Sequence, residues 1–218
     1  MKHMKDKKNK KEKKEKKIIG LTGRYCAGKN HVALLLEQRG LPVMDADKLG
    51  HRVIEAERDS ILARFGKDIL GADSLIDRKL LGAKVFGKPA ELAALEEIIH
   101  PAVNRETLDW IESLKEKACV INAALLHRSS VFKTMDAIII VEAPLYVRLL
   151  RAKKRDRLPW AVLLQRFQSQ NDFMSQYFKE KTDIYRVENP GLFSFRSRSL
   201  RTRLENRINE ILSLRGIK

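Results

Sequence analysis

The sequence predicts an α/β protein in which a five-stranded parallel β-sheet is covered by helices on both faces. Five short apolar runs alternate along the chain with segments of helical periodicity, and parallel strands need such crossover helices between them. Most of these runs are predominantly apolar, which is typical of strands buried on both faces. A glycine-rich turn follows the first run, and it places a flexible backbone where parallel sheets have their ligand crevice.

The first elements follow one another closely. The first predicted strand is the run 18–23, which ends in Gly23. Residues 29–38 then show helical spacing, and Gly40 stands where a helix-ending glycine is expected. The second predicted strand is the short run 41–44. The sheet is therefore expected to begin with strand, glycine loop, helix and strand in that order.

The rest of the chain supplies a long helical stretch and three more strands. Residues 48–117 show helical periods separated by glycines and no apolar run of strand type. The runs 118–123 and 137–141 are predominantly apolar, and 183–187 is a weaker one. Apolar residues at helical spacing then predict a closing helix over 200–212 that packs on the sheet.

Length and composition agree with one globular domain over residues 18–218. The chain has 218 residues, of which 44% are hydrophobic and 33% charged, and this balance excludes collagen-like and low-complexity classes. No apolar run reaches the roughly 18 residues of a membrane span, and residues 1–17 lack the apolar core of a signal peptide. Cys26 and Cys119 lie far apart without metal-ligand spacing, so neither a disulfide framework nor a zinc site is expected. The sequence predicts a cytoplasmic protein without a membrane partner.

Positive charge is concentrated at the start of the chain. Residues 1–17 hold ten lysines against three acidic residues, a net charge of +7 out of +16 for the whole chain. Because this segment shows no apolar periodicity, it is predicted to be a disordered basic tail. It is interpreted either as a solvated solubility arm or as a nonspecific contact with RNA or another anionic surface. The remaining +9 favours a phosphorylated ligand, and nucleic acid is expected at most as a contact of the tail.

Residues 23–30 match the phosphate-loop pattern GxxxxGK[ST] except at the last position, where Asn30 replaces serine or threonine. In such loops successive N–H groups face a phosphate, the following helix adds its positive end, and the lysine reaches the β and γ phosphates. An ordinary strand-to-helix turn with a surface lysine is the alternative. The position between an apolar strand and an amphipathic helix favours nucleotide binding. The predicted nucleotide-binding residues of the loop are Gly23, Cys26, Ala27, Gly28, Lys29, Asn30 and His31.

Two residues of this loop are unusual for the pattern. Asn30 occupies the position whose hydroxyl ordinarily ligates Mg²⁺ beside the phosphates. An amide oxygen can also bind a hard cation, whereas the amide NH₂ group repels one, and Asn30 is the candidate metal ligand. Cys26 lies near a helix N-terminus, a setting that lowers a thiol pKa and favours oxidation. Of the two interpretations of Cys26, oxidation-sensitive thiol or passive loop residue, the sequence favours the passive one.

Two aspartates follow the second predicted strand. Asp45 and Asp47 stand just past its carboxyl end, the edge at which open parallel sheets bind ligands. A carboxylate there can accept the proton of an attacking hydroxyl or hold a metal-bound water. An aspartate after a strand can also cap the next helix, and Asp45 is placed to do so. The pair therefore permits two different roles.

An ordered series of short segments extends over most of residues 18–212. It comprises Ile19–Gly23, Asp45–Asp47, Ile76–Arg78, Ile99–Pro101, Leu125–Leu126, Arg151–Asp156, Gln165, Gln170 and Glu188–Gly191. This series resembles the dephospho-coenzyme A kinase family, whose members phosphorylate the ribose 3′-hydroxyl of dephospho-CoA with ATP. The resemblance implies ATP and Mg²⁺ as cofactors, dephospho-CoA as the acceptor, and the last step of coenzyme A biosynthesis.

The resemblance also implies roles for parts of the chain. Asp47 looks like the catalytic base of the family. Residues 48–117 look like its helical acceptor-binding insertion, and residues 147–181 are similar to its lid. Arg78 and His100 are the implied acceptor contacts, although His100 could equally be a packed histidine.

Three residues near the end of the chain are further candidates. Arg151 and Arg155 are four residues apart, so on a helix they share one face, where two guanidinium groups could clamp a transferring phosphoryl group. A solvated basic face is the alternative, and the resemblance favours phosphate contact, with Arg151 catalytic beside Lys29. Asn189 follows the last strand, where its amide could meet the adenine ring, although a plain turn would also explain it.

The proline after His100 predicts a helix interruption at that point.

Two departures from the family pattern leave other functions open. Arg128 stands where the family commonly has a glutamate after the third strand, which motivates a related nucleoside or nucleotide kinase with a different acceptor. Asn30, together with the basic tail, motivates a catalytically weak nucleotide-binding protein that contacts RNA.

Overall fold

The computed structural model describes residues 16–168, 177, 182–190 and 198–217. The strands are β1 (Lys17–Gly23), β2 (Val43–Asp45), β3 (Ala118–Asn122), β4 (Ala137–Glu142) and β5 (Asp183–Glu188). They form one sheet in the order β2-β3-β1-β4-β5, and every neighbouring pair is parallel. The predicted fold class is confirmed.

Helices connect the strands. They are α1 (Lys29–Glu37), α2 (Ala46–Ala56), α3 (Arg58–Phe65), α4 (Arg78–Val85), α5 (Pro89–Ser113), α6 (Leu145–Asp156), α7 (Trp160–Gln168) and α8 (Arg198–Leu214). No helix of the described ranges is both long enough and apolar enough to cross a bilayer.

Apolar layers cover both faces of the sheet. One layer joins the sheet to α1 and α8, and the other joins it to α2 and α5. Strand β4 contributes Ile139 to the first layer and Ile138 and Ile140 to the second, and all three are fully buried. Burial on both faces explains why the strand is apolar throughout.

The strand ends differ slightly from the predicted ones. β1 begins at Lys17, one residue early, because the Lys17 N–H donates to the Lys117 carbonyl at 2.9 Å. β2 covers Val43–Asp45 instead of 41–44. Asp45 is therefore the last residue of the strand, which places both aspartates at the carboxyl edge of the sheet.

The stretch between β2 and β3 is helical and has an apolar cluster of its own. Members of this cluster come from α3, α4 and the first half of α5, including Ile61, Leu81 and Leu95. An isolated antiparallel bridge joins Leu70 to Ile76 within the connection between α3 and α4. This separate apolar core stabilises the helical segment between β2 and β3.

The predicted helix interruption at His100 and Pro101 is wrong. Helix α5 is continuous from Pro89 to Ser113 and contains Pro101 in its interior. A proline removes one backbone hydrogen bond from a helix. Buried residues on both sides of it, Leu95 before and Ala102 and Ile111 after, pack the two halves of the helix against the rest of the protein. The stabilisation from this tertiary packing outweighs the free-energy cost of the lost backbone hydrogen bond.

Two predicted segments fall largely outside the described residues. Residues 1–15 of the basic tail are not described, and the structure does not test their predicted disorder. Lys16 is described, and its ammonium donates to the carbonyls of Ile111 and, at 2.8 Å, of Leu114. Of the predicted lid over 147–181, the structure describes residues 147–168, which include most of α6 and all of α7, and Tyr177.

Candidate active site

The glycine loop between β1 and α1 has the conformation that phosphate binding requires. Gly28 has φ +98°, in the left-handed region that favours glycine. A Cβ atom there would also lie 2.1 Å from the Asn189 amide nitrogen, so no larger residue fits. The N-terminus of α1 has no side-chain cap. The His31 and Val32 N–H groups donate to the Gly28 carbonyl, so the amides of Lys29 and Asn30 are the ones placed to meet an anion. His31 lies in this first turn, where burial lowers the pKa of its imidazole.

Arg151 and Asn189 support the loop from behind. Arg151 Nη1 donates to the Ala27 carbonyl at 2.9 Å, and its Nη2 donates to the Asn189 carbonyl at 3.3 Å. Asn189 is 3% exposed, and its side-chain amide donates to the same Ala27 oxygen at 3.0 Å. The structure thus brings both predicted residues to the loop, in contact with its carbonyls. Their contacts with phosphate and adenine stay predictions.

Tyr25 attaches the loop to helices α6 and α7. Its hydroxyl donates to the Asp156 carboxylate, and its ring makes an edge contact with Phe167 at 5.2 Å between centroids. Arg155, the second predicted phosphate contact, pairs with Asp156 at 2.7 Å and lies 5.1 Å over the Tyr25 ring. Arg155 is therefore engaged by Asp156 and Tyr25 in this structure. Sequence reasoning missed Tyr25, because its partners come from distant parts of the chain.

The two aspartates at the carboxyl end of β2 make different contacts. Asp45 is the N-cap of α2, and its carboxylate accepts the Lys48 N–H at 3.1 Å, as the capping interpretation predicts. Asp47 lies in the first turn of α2 with its side chain 49% exposed, and its Oδ2 is 3.0 Å from Lys29 Nζ. Its Oδ1 accepts the Ala124 N–H at 3.3 Å. Asp47 thus joins the loop lysine to the chain just beyond β3.

Asn30 has an amide partner that sequence reasoning did not select. Asn122, at the end of β3, donates its amide hydrogen to Asn30 Oδ1 at 3.3 Å. Asn122 is 2% exposed, and its own Oδ1 is buried without a hydrogen-bond partner among the described residues. An unpaired buried oxygen is costly. The only sequence feature that pointed to Asn122 was its position near the end of the third predicted strand.

The oxygens near the loop fit a hard divalent cation. Such ions accept carboxylate and amide oxygens as ligands. Asn30 and Asn122 offer amide oxygens, Asp47 offers a carboxylate, and the unpaired Asn122 oxygen would gain a partner. Carboxylates are few, and the described residues contain no cluster of three or more histidine, cysteine or acidic side chains. The loop would therefore hold a cation mainly through neutral oxygens and the phosphates of a nucleotide.

Cys26 does not have the activated thiol that its position suggests. Burial raises the pKa of the Cys26 thiol, and nearby arginines, Arg155 foremost, oppose this only in part. The residue itself has φ 58°. The expectation of a lowered pKa is wrong, because removal from water disfavours the thiolate more than the helix end favours it. The raised pKa favours the passive interpretation of Cys26, and its contact with a nucleotide stays a prediction.

This pKa shift predicts slow alkylation. In a Cys119→Ala variant, iodoacetamide should modify Cys26 more slowly at pH 7 than it modifies free cysteine, and the rate should still rise above pH 9. A raised pKa leaves less thiolate at neutral pH, and the missing thiolate forms only as the pH increases. Mass spectrometry over a pH series measures both rates. Alkylation at pH 7 that outpaces free cysteine would contradict the assignment.

The predicted acceptor contacts lie in the helical segment. Arg78 begins α4 and places its Nη1 2.8 Å from the Nδ1 of His51 on α2. His100 lies half-buried midway along α5, and no hydrogen bond joins its imidazole to a described residue. Arg128 forms an ion pair with Glu96 of α5 at 2.7 Å. That pair provides a structural partner for Arg128, and a changed acceptor stays a prediction.

Tyr177 was also missed by sequence reasoning. It is fully buried, and its hydroxyl lies 3.3 Å from both Thr22 Oγ1 and His127 Nδ1. Its ring makes edge contacts with His127 and Phe132. Tyr177 thus fixes the chain beyond β3 to the end of β1. Nothing in the local sequence signals this contact.

A phosphate loop that opens a helix, on a parallel sheet with a carboxylate facing the loop lysine, defines the class of P-loop kinases. Comparison with known proteins identifies the family within this class. The sequence model of dephospho-CoA kinase matches residues 17–190, and the chain belongs to the dephospho-CoA kinase family.

Three relatives illustrate the relationship. The dephospho-CoA kinase of Treponema pallidum is 32% identical over 210 residues, which cover 92% of this chain and 96% of the relative. A crystal structure from Thermus thermophilus is similar with a TM-score of 0.75 and 28% identity over 91% of this chain and 97% of that one. The dephospho-CoA kinase structure from Campylobacter jejuni has a TM-score of 0.63 at 24% identity and covers 89% and 96% of the two chains; at this identity it supports the fold alone.

Proposed function

We propose that this chain transfers the γ-phosphoryl group of ATP to the ribose 3′-hydroxyl of dephospho-CoA, giving coenzyme A and ADP. This is the last step of coenzyme A biosynthesis. The observation that supports it most directly is the 3.0 Å contact between Lys29 and Asp47. It joins the group that binds the transferred phosphate to a carboxylate at the acceptor side of the sheet edge.

The residues around the loop suggest how the reaction proceeds. The amides of the loop and the Lys29 ammonium hold the β and γ phosphates. Lys29 would then leave Asp47 for the phosphates, which frees the Asp47 carboxylate to accept the proton of the 3′-hydroxyl. The Ala124 N–H keeps that carboxylate in place. Catalysis of this kind relies on positioning and on electrostatic stabilisation of the transferred group.

A Mg²⁺ ion bound with ATP would neutralise charge on the β and γ phosphates. Asn30 and Asn122 are the residues that would hold it. Because both groups are neutral amides, the affinity for the metal is expected to be modest.

Replacing Asn122 with aspartate should make ATP binding more dependent on Mg²⁺. The added carboxylate should tighten ATP binding at saturating Mg²⁺ on the order of 10-fold, since negative ligand charge strengthens a hard-cation site. Without metal the same carboxylate should weaken ATP binding, because it repels the phosphates. Calorimetric titration of ATP over a series of Mg²⁺ concentrations measures both effects.

Asn206→Asp, an exposed substitution on α8, adds the same charge elsewhere and serves as the control. Equal changes in ATP affinity with and without Mg²⁺ in the Asn122 variant would show that Asn122 does not face the metal.

The decisive experiment is detection of coenzyme A formed by the purified full-length chain from dephospho-CoA, ATP and Mg²⁺. Nucleosides and nucleotides other than dephospho-CoA are the comparison acceptors. We expect dephospho-CoA to be strongly preferred. Turnover with another acceptor alone would favour a related nucleotide kinase, and ATP binding without transfer to any acceptor would favour a nucleotide-binding protein.

We also propose that the reaction takes place in the cytoplasm. Cys26 and Cys119 are both free thiols, which fits a reducing compartment. Cys119 is fully buried, and burial raises its pKa to about 11, so it is unreactive.

A further inference from the structure

Two buried hydroxyl groups connect the end of β1 to the chain beyond β3. Thr22 and Tyr177 are both fully buried, and their side-chain oxygens lie 3.3 Å apart. Thr22 Oγ1 donates to the Ala124 carbonyl at 3.3 Å. Tyr177 lies in the apolar layer between the sheet and helices α2 and α5. Buried hydroxyls in such a layer destabilise a protein unless they are paired, so these hydrogen bonds hold both side chains in place.

The direction of each hydrogen bond follows from the number of hydrogens available. A hydroxyl has one hydrogen, and that of Thr22 goes to the Ala124 carbonyl. Tyr177 therefore donates to Thr22 Oγ1, and His127 Nδ1, which lies 3.3 Å from the Tyr177 oxygen, donates to Tyr177. Burial raises the pKa of the Tyr177 hydroxyl, which keeps its hydrogen at neutral pH. The hydrogen bonds thus run in one direction, from His127 to Ala124.

The last residue of this hydrogen-bond chain is the one that holds Asp47. Thr22 binds the Ala124 carbonyl, and the Ala124 N–H donates to Asp47 Oδ1 at 3.3 Å. These two backbone groups flank one Cα atom, so the bond to the carbonyl restricts the rotations that would turn the N–H away. The Ala123 N–H donates to the Leu21 carbonyl at 3.0 Å. The N–H that faces Asp47 is therefore fixed from both sides.

Asp47 depends on this N–H for its orientation. Its side chain is 49% exposed, and its other described partner is the Lys29 ammonium at 3.0 Å. That ammonium is a flexible point charge which the phosphates of ATP attract. Once Lys29 turns to the phosphates, the Ala124 N–H is the partner that remains among the described residues. The direction of the Asp47 carboxylate in the reacting complex is then set by Ala124.

We propose that Tyr177 is a positioning residue for Asp47 and that it acts through Thr22 and Ala124. This inference rests on the proposed function, since it takes Asp47 as the base that accepts the 3′-hydroxyl proton. The role of Tyr177 is indirect: it fixes the Thr22 hydroxyl, which fixes the backbone that orients the carboxylate. Tyr177 belongs to the predicted lid over 147–181, so the alignment of the base depends on how that part of the chain packs.

The test uses variants of the full-length protein that each remove one hydroxyl. Tyr177→Phe keeps the ring that contacts His127 and Phe132. Thr22→Val removes the next hydroxyl and nearly keeps the shape of the side chain. Tyr146→Phe is the matched control, because Tyr146 is 64% exposed on α6 and its hydroxyl has no partner among the described residues. Thermal unfolding checks that each variant is folded.

Kinetics should separate turnover from binding. Tyr177→Phe and Thr22→Val should each lower kcat about 3- to 10-fold, the usual effect of one lost hydrogen bond. Both should leave KM for ATP and for dephospho-CoA within about twofold, since neither side chain contacts a substrate. Thr22→Ser keeps the hydroxyl and should keep kcat within about twofold, as should Tyr146→Phe. Full turnover in both Tyr177→Phe and Thr22→Val would overturn the inference.

A double-mutant cycle tests whether the effect passes through Asp47. In an Asp47→Asn background the base is already lost, so adding Tyr177→Phe should lower kcat by less than about twofold. A loss by the same factor in both backgrounds would show that Tyr177 supports the fold and not the base. The inference would then be wrong, and the proposed function would stand. Thr22→Val replaces Tyr177→Phe in the cycle if the latter does not fold.

Hydrogen exchange followed by NMR provides a readout that needs no substrate. The Ala124 amide should exchange about 3- to 10-fold faster in Tyr177→Phe and in Thr22→Val, because its backbone loses a restraint, while the amides of β4 should exchange as before. Unchanged exchange at Ala124 in both variants would overturn the inference whatever the activity. If the unsubstituted chain forms no coenzyme A, the proposed function is wrong, and the exchange rate of Ala124 still decides whether Tyr177 fixes the group that orients Asp47.

Discussion

Replacing Arg151 with methionine should lower kcat by about 10²- to 10³-fold, the usual effect of removing one donor that stabilises transition-state charge. In the structure Arg151 donates to the carbonyls of Ala27 and Asn189, at the back of the phosphate loop. The substitution removes both the positive charge and the contacts that fix the loop. Single-turnover measurements with saturating ATP and dephospho-CoA report the loss.

Two controls separate charge from loop shape. Lys154→Met removes an exposed cation from the same helix and should leave kcat within about twofold. Arg151→Lys keeps the charge but cannot reproduce the planar fork that reaches two carbonyls, so it should restore only part of the activity. If Arg151→Met keeps full turnover while its unfolding temperature falls, Arg151 supports the loop only and the catalytic prediction fails.

The sheet and the loop could be predicted because their signals are local. The inner strands β3 and β4 are buried on both faces and so are written as largely apolar runs. The edge strand β5 is mostly not buried, which explains its weaker signal. The left-handed turn at Gly28 demands glycine, which makes the phosphate loop visible as a pattern. The two aspartates were found for the same reason, since β2 ends at Asp45 and the carboxyl edge of a parallel sheet is the ligand edge.

The contacts that complete the site could not be read from local sequence. Arg155 was expected at a phosphate because of its spacing from Arg151, yet its neighbour Asp156 and the distant Tyr25 engage it. Tyr177 and Asn122 contribute through partners 155 and 92 residues away. Such pairs depend on how helices and loops are placed in three dimensions.

Helix α5, which contains Pro101, shows that a local sequence rule can also predict an interruption that the structure does not have. Proline is unfavourable in a helix interior, as the sequence analysis assumed. The local sequence does not show that Ala102 and Ile111, which follow the proline, are buried. Their burial makes a continuous helix more stable than an interrupted one. A local rule predicts an element only when packing does not oppose it.

Replacing Asp47 with asparagine should lower kcat by about 10²- to 10⁴-fold, the usual contribution of a general base. Asparagine keeps the shape of the side chain and an oxygen for the Ala124 N–H, which Asp47 accepts at 3.3 Å. It cannot accept a proton from the 3′-hydroxyl. The substitution also ends the 3.0 Å ion pair with Lys29, and this frees the ammonium for the phosphates. ATP affinity should therefore hold or increase slightly while turnover collapses, as steady-state kinetics and ATP titration would show.

Asp45→Asn is the matched control because it makes the same chemical change two residues away. Asparagine caps helices as well as aspartate does, and the Asp45 carboxylate contacts Lys48 at its own helix end. This variant should keep kcat within a few-fold. A fully active Asp47→Asn enzyme would mean that the 3′-hydroxyl loses its proton to another group. A larger loss at Asp45 than at Asp47 would identify Asp45 as the base, since the two side chains differ in reach to the acceptor and not in chemistry.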